Sequence, residues 1–231
     1  NRMSYALMSA KGLKTVADLR GKTIGITGIG GMGEFTVVES LRRSGLVKDR
    51  DFTVLNIEGG PAARIAALKT GKVQAVPLTP GQRVQIENDG YPVLLDTRES
   101  LPEIPSTIIA STKDFTSSSP DKITRFLRAL SRAMELIRRD KDKAIALGKS
   151  QGLRGDLALE RKALDYYADD LDIRLKKENI AALLKPIGIS EPAQKYFDES
   201  FLTRATGLRY ERINIAMARR FPMDSERTIE L

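Results

Sequence analysis

Along the first half of the chain, short apolar runs alternate with amphipathic stretches, and glycines punctuate them. Thr23–Thr27 reads as a strand that runs into Gly28, Gly30, Gly31 and Gly33. Phe35–Ser44 follows as a helix, with Val37, Val38 and Leu41 on one face and Gly45 as its stop. Phe52–Ile57 predicts a second strand, closed by Gly59-Gly60-Pro61. The helix Ala62–Thr70 then presents Ile65 and Leu68 and ends at Gly71. Val73–Leu78 predicts a third strand, Gln82–Asn88 a helix and Tyr91–Leu95 a further short strand. This order, with its short turns, favours a parallel, doubly wound sheet.

Pro102 and Pro105 make Leu101–Pro105 an extended crossover, and Thr107–Ala110 reads as one more apolar strand. Beyond it the period becomes helical. Pro120 starts a helix that runs to about Arg139, with Ile123, Phe126, Leu127, Leu130, Met134 and Ile137 at i, i+3, i+4 spacing. Further helices fit Lys141–Ser150, Asp156–Asp170, Lys176–Leu184, Pro192–Thr203 and Tyr210–Arg220. The first half is α/β; the second is almost wholly helical.

Composition narrows the chemistry. Hydrophobic residues are 41% of 231, enough for a real core, and no apolar run approaches the ~18 residues of a membrane span. The net charge of +8 invites a nucleic-acid reading, but the basic pairs Arg42-Arg43, Arg138-Arg139, Lys176-Lys177 and Arg219-Arg220 are far apart. With aromatics at 6% and no Trp, a base-stacking platform is poorly provided for, and no nucleic-acid partner is expected. The chain has no Cys and no His. That removes disulfides, thiolate nucleophiles, zinc-thiolate sites and the usual general base near neutral pH. The expectation moves to binding, with no catalytic residue, metal or cofactor assigned.

The sharpest local signal is Gly28-Ile29-Gly30-Gly31-Met32-Gly33, a G-x-G-x-x-G after a strand and before a helix. Glu58, 25 residues past Gly33, falls near the position of a ribose-binding acid. The same glycines also suit a plain tight turn, or a small ligand held by backbone N–H groups at a helix start. Gly60, Pro61 and Ala62 form a second loop-to-helix junction, and Leu78 and Thr79 end the third strand on the same rim. The candidate ligand-binding set is therefore Thr27, Gly28, Gly30, Gly31, Met32, Gly33, Glu34, Gly60, Pro61, Ala62, Leu78 and Thr79. Glu34 reads as a complement to the helix dipole, or as a group for a ligand amine. Arg64 reads as half of a surface or intramolecular salt bridge, with an anionic ligand as its alternative partner. Asp169-Asp170-Leu171-Asp172 reads as a solvated helix end, and one ring of Tyr166-Tyr167 as buried.

The segment Gly12–Gly25, GLKTVADLRGKTIG, resembles the opening of the second lobe in type II solute-binding proteins of ABC transporters. The nitrate/sulfonate/taurine-type and thiamine-precursor-type groups are the nearest in pattern. Ala63–Ala75 is similar to their "a-L-x-x-G-x-v-D-A" segment, with Gln74 in place of the usual Asp. Ser119–Ala129 is similar to their "P-e-x-v-x-x-F-l-x-A" helix, and Phe197–Phe201 to the closing-helix region. The resemblance implies two α/β lobes closing on a ligand, with residues 12–104 as the ligand-binding lobe. Residues 1–11 and 105–231 would then be the crossover and the C-terminal part of the other lobe. It implies hinges near Met8–Lys11 and Pro102–Ser106, and a chain lacking the N-terminal part of that first lobe. It further implies a monomeric, periplasmic or extracellular protein that takes a small molecule to a membrane permease. Sulfonate and nitrate binders place Ser or Thr hydroxyls in the turn matching Thr27–Glu34. The glycines, Met32 and Glu34 there point instead to a larger organic ligand with a carboxylate or amine. Pyrimidine synthases of this fold use histidine and a cysteine-rich motif, which this chain lacks. Two other readings stay open: a nicotinamide- or flavin-dependent enzyme using the glycine turn, and the ligand-sensing domain of a transcription regulator. The chain opens at Asn1 with no signal-peptide pattern, so a removed signal or a trimmed piece is expected.

Overall fold

The computed structural model describes residues 3–153, 156–185, 188–196 and 198–207. Its first part is a five-stranded sheet built from β1 (Ala6–Ser9), β2 (Lys22–Ile26), β3 (Phe52–Asn56), β4 (Ala75–Leu78) and β5 (Val93–Asp96), in the order β3-β2-β4-β1-β5. Helix α1 (Met32–Arg43) joins β2 to β3, α2 (Gly60–Lys69) joins β3 to β4, and α3 (Pro80–Glu87) joins β4 to β5.

Strand alternation sends side chains to two cores. Ile24 and Ile26 of β2 pack with Val37 and Leu41 of α1 and with Phe52 on one face. On the other face Val76 and Leu78 of β4 pack with Ile65 and Leu68 of α2 and Ile86 of α3. Gly25 points to that second face. A Cβ there would lie 3.0 Å from Val73 Cγ2 and 3.2 Å from Val76 Cγ1, so glycine permits this close approach.

The predicted parallel sheet is present in β3, β2 and β4, and one strand departs from it. Residues 6–9, whose last two fall in the hinge expected at Met8–Lys11, form β1, which runs antiparallel between β4 and β5. Four residues carry too short a pattern to announce a strand; pairing on both sides makes it one. All four are buried, so Met8 and Ser9 belong to the sheet centre and only Ala10 and Lys11 of the expected hinge lie outside it. Against an all-parallel reading, the sheet is therefore mixed and parallel-rich.

A short helix, α4 (Thr97–Ser100), follows β5, and the second part is helical: α5 (Lys113–Ser118), α6 (Pro120–Arg139), α7 (Lys141–Ser150), α8 (Leu157–Tyr167), α9 (Lys177–Leu184) and α10 (Ser200–Thr206). The α4 helix was not legible as such; the Asp96 side chain caps it by accepting from Arg98 N–H at 3.0 Å. Thr112 does the same for α5 through Phe115 N–H at 3.2 Å. The single helix expected over Pro192–Thr203 is instead a 3-10 turn at Ala193–Tyr196 followed by α10, because Asp198 accepts from Ser200 N–H and starts a new helix. The helix expected at Tyr210–Arg220 lies outside the described residues. Thr107–Ala110 is not a strand; it belongs to no ladder among the described residues, and Ile108 and Ile109 are 44% and 53% exposed. No described helix is long and apolar enough to cross a membrane.

An apolar contact and a charged one are prominent among those that join the parts. Met3, Leu101 and Ile104 pack with Ala182 and Leu183 of α9. The Tyr166 ring lies between the guanidinium groups of Arg83 on α3 and Arg98 on α4, 4.4 and 3.9 Å from its centroid, while its hydroxyl donates to Asp96. Asp96 also accepts from Arg83 Nη1 and Arg98 Nη2, each at 3.0 Å.

Candidate functional site

The strand order creates the site. The chain leaves β2 towards α1 on one face and leaves β4 towards α3 on the other, so the two neighbouring strands part at their carboxyl ends. A crevice at such a switch point is where open α/β sheets take ligands. The β2–β4 ladder registers only through Ile24 and Ala75, and Pro77, two residues on, has no N–H to extend it. Thr27 follows β2 and Thr79 follows β4 at that edge.

The glycine turn at the end of β2 is open to solvent. Thr27, Gly28, Ile29 and Gly30 are exposed, Ile29 at 76%. Gly28 and Gly30 adopt φ values of 78° and 77°, which a side-chain-bearing residue would resist. Part of its donor capacity is already used: Gly28 N–H donates to Asn56 Oδ1 at 2.9 Å, and Gly30 N–H to Glu34 Oε2 at 2.6 Å. Glu34 is buried, and its other oxygen accepts from Lys48 Nζ at 2.5 Å. The Gly30 amide first, and then Lys48, hold its carboxyl below the usual carboxylate range. Neither Asn56 nor Lys48 carried a sequence signal, since each reaches the turn from another element.

No side chain caps the first amides of α1, whose N-cap is Gly31, or those of α2, whose N-cap is Gly59. Pro61 and Ala62 are exposed and Gly60 is half-buried. Leu78 is fully buried beneath the rim. Thr79 is half-buried and its N–H donates to Gln82 Oε1 at 3.2 Å, so α3 closes its own start. Met32 is exposed and Gly33 half-buried at the start of α1.

Arg64 overturns its sequence reading. Among the described residues no carboxylate pairs with it, and no salt bridge forms. The side chain runs under the rim, its Nη1 donates to the Thr27 hydroxyl, and its buried Nε has no hydrogen-bond partner. Burial pulls its pKa below the ordinary guanidinium value. The Asp169–Asp172 stretch is a helix end only partly solvated: Asp169 is exposed, whereas Asp170 pairs with Arg98 at 3.7 Å and Asp172 pairs with Arg174.

Beside the rim, between the α/β part and the helices, is a cavity of about 1640 Å³, larger than the ~300–1,000 Å³ of most small-molecule pockets. Thr79 and Gly81 line it on the α/β side. Ile108, Leu127, Tyr167 and Phe201 line it on the helical side. The glycine turn and Gly60–Ala62 are not among its walls; of the candidate residues it is Thr79 that reaches it.

The family profile described as NMT1/THI5 like matches residues 1–144, more than half of the chain. The chain belongs to the NMT1/THI5-like family. Its fold is that of periplasmic substrate-binding proteins. It is similar to the alkanesulfonate-binding protein SsuA of Xanthomonas axonopodis pv. citri bound to MOPS, with a TM-score of 0.60, 18% identity, and coverage of 88% of this chain and 72% of that one. It is similar to the periplasmic aliphatic sulphonate binding protein SsuA of Escherichia coli, with a TM-score of 0.63, 20% identity, and coverage of 87% and 70%. A desulfurization enzyme, DszB, shares the fold at a TM-score of 0.57 and 14% identity, over 89% of this chain and 76% of that one. The fold thus serves binding proteins and at least one enzyme. No curated protein matches the chain in sequence.

Proposed function

We propose that this NMT1/THI5-like chain is the solute-binding component of an ABC-type importer, holding a small organic molecule at the carboxyl rim between β2 and β4. The observation that carries this reading is the open switch point. There an exposed glycine turn and two helix starts without side-chain caps meet at one edge. Residues 12–104 together with β1 would form the ligand-binding lobe, and residues 105–231 the C-terminal part of the other lobe. Closure would follow from differential affinity, since a ligand touching both parts favours the state in which they are close. The setting that goes with this role is periplasmic or extracellular, with a membrane permease as the partner and a monomer as the working form.

The test is a solute screen read by thermal shift and by the amide resonances of Gly28–Gly31, with the bound solute then recovered and weighed. A binding protein returns its solute unchanged. Gly31→Val, whose side chain would crowd the Gly28 carbonyl that lies 3.1 Å from a Cβ there, is expected to abolish the shift. A chemically altered solute would move the reading towards an enzyme. A wild-type response in Gly31→Val would remove the turn from the site.

A further inference from the structure

The fold leaves the Arg64 guanidinium partly unsatisfied and without a counter-charge among the described residues. Arg64 is 8% exposed, its Nε lacks a partner, and no described carboxylate pairs with it. The contrast with Arg161 is direct: its Nε also lacks a hydrogen bond, yet Asp142 and Asp165 at 3.6 Å neutralise the group. A lone buried charge is costly, and the cost falls when a counter-charge arrives. Glu34, the acid on the first turn of α1, cannot serve, because Lys48 and the Gly30 amide occupy its two oxygens.

The place of this charge fits a ligand. Arg64 donates to the hydroxyl of Thr27, the exposed first residue of the glycine turn, which leaves that hydroxyl's own proton free to be donated outward. The guanidinium is a planar fork of donors that matches two oxygens of one anion. The uncapped starts of α1 and α2 add partial positive charge at the same rim.

We propose that Arg64 seats the oxyanion of a small organic acid, a carboxylate or a sulfonate, at the root of the glycine turn, with the Thr27 hydroxyl as its second contact. This rests on the binding reading above and names the chemical class of the solute.

The experiment titrates nitrogen-15-labelled protein with sodium methanesulfonate or sodium acetate, against sodium chloride at matched ionic strength. It follows the Arg64 Nε–Hε resonance, identified by its loss in Arg64→Lys. The expected result is a saturable shift with at least one oxyanion at concentrations where chloride causes none. A stronger response to methanesulfonate assigns a sulfonate, and a stronger response to acetate a carboxylate. Arg64→Lys, which keeps the charge and loses the fork, should weaken binding about tenfold or more. Thr27→Val, at an exposed position, should weaken it severalfold with the rest of the amide spectrum unchanged, and it decides the matter if Arg64→Lys does not fold. An Arg64 resonance that answers neither oxyanion beyond chloride overturns the inference, as does wild-type affinity in Thr27→Val. If that resonance is silent while a neutral solute moves the Gly28–Gly31 amides, the oxyanion assignment falls and the binding reading stands. If nothing moves the turn, both fall.

Discussion

The α/β part and the helical part both carry amphipathic helices, the most strongly amphipathic being α6, yet they bury their apolar sides differently. In residues 3–104 each apolar helix stripe meets a sheet face, and the largest fully buried side chains, among them Phe52, Ile24, Leu41 and Leu68, all lie at or before Leu101. In residues 105–207 the helices pack edge to edge around the open cavity. Ile123, Leu127, Leu130 and Met134 of α6 face that cavity, and Phe126, on the same helix, stands in solvent. An amphipathic stripe makes a helix, but a closed core needs a second surface of matching shape. Stability should therefore be concentrated in the first part.

The strongest way to break this contrast is Phe52→Ala. It should cost about 3–5 kcal/mol in urea unfolding, because the ring is sealed between β3 and α1 and its loss leaves a cavity. A smaller loss would mean that the α/β core is looser than its burial implies. Next comes the contact between the parts. Asp96→Asn removes the charge that Arg83 and Arg98 share, and should cost about 2–3 kcal/mol. Hydrogen exchange should then show α8 opening independently of α3; unchanged coupling would place the connection elsewhere.

An acid titration sharpens the comparison on the α/β side. Arg42 first, and then Arg43, hold the Glu39 carboxyl down at about 2 from 4.5. The folded value is depressed, so this stabilisation is present above about 4.5 and is lost as pH falls towards 2. Thermal melts of wild type and Glu39→Gln should differ by about 1–2 kcal/mol at pH 7 and converge near pH 2. The smallest effect is expected from Phe126→Ser, within about 0.5 kcal/mol, because the ring is already half in water. A cost like that of Phe52→Ala would show Phe126 covered in solution.

What was legible in the sequence was local. The strand ends with their glycines, the α1 and α2 stripes and the twenty-residue span of α6 all follow from spacing within one element. What was not legible needed partners distant in the chain. Residues 6–9 have no pattern of their own and become a strand by pairing with β4 and β5, whereas Thr107–Ala110 has the β-branched composition of a strand without a ladder. At the rim, Arg64 sits at a spacing that suggests an ion pair. Its solitude shows only once Thr27, from a strand 37 residues earlier, is laid against it.

The reversed direction of β1 decides what borders the opening. Because that strand runs against its neighbours, its amino end arrives where theirs finish, with Ala6 opposite Leu78 and Asp96. Ser4 consequently lines the cavity. The approach to the first strand thus forms part of the cavity wall, and a fluorophore fixed at Ser4 would report on what enters that cavity.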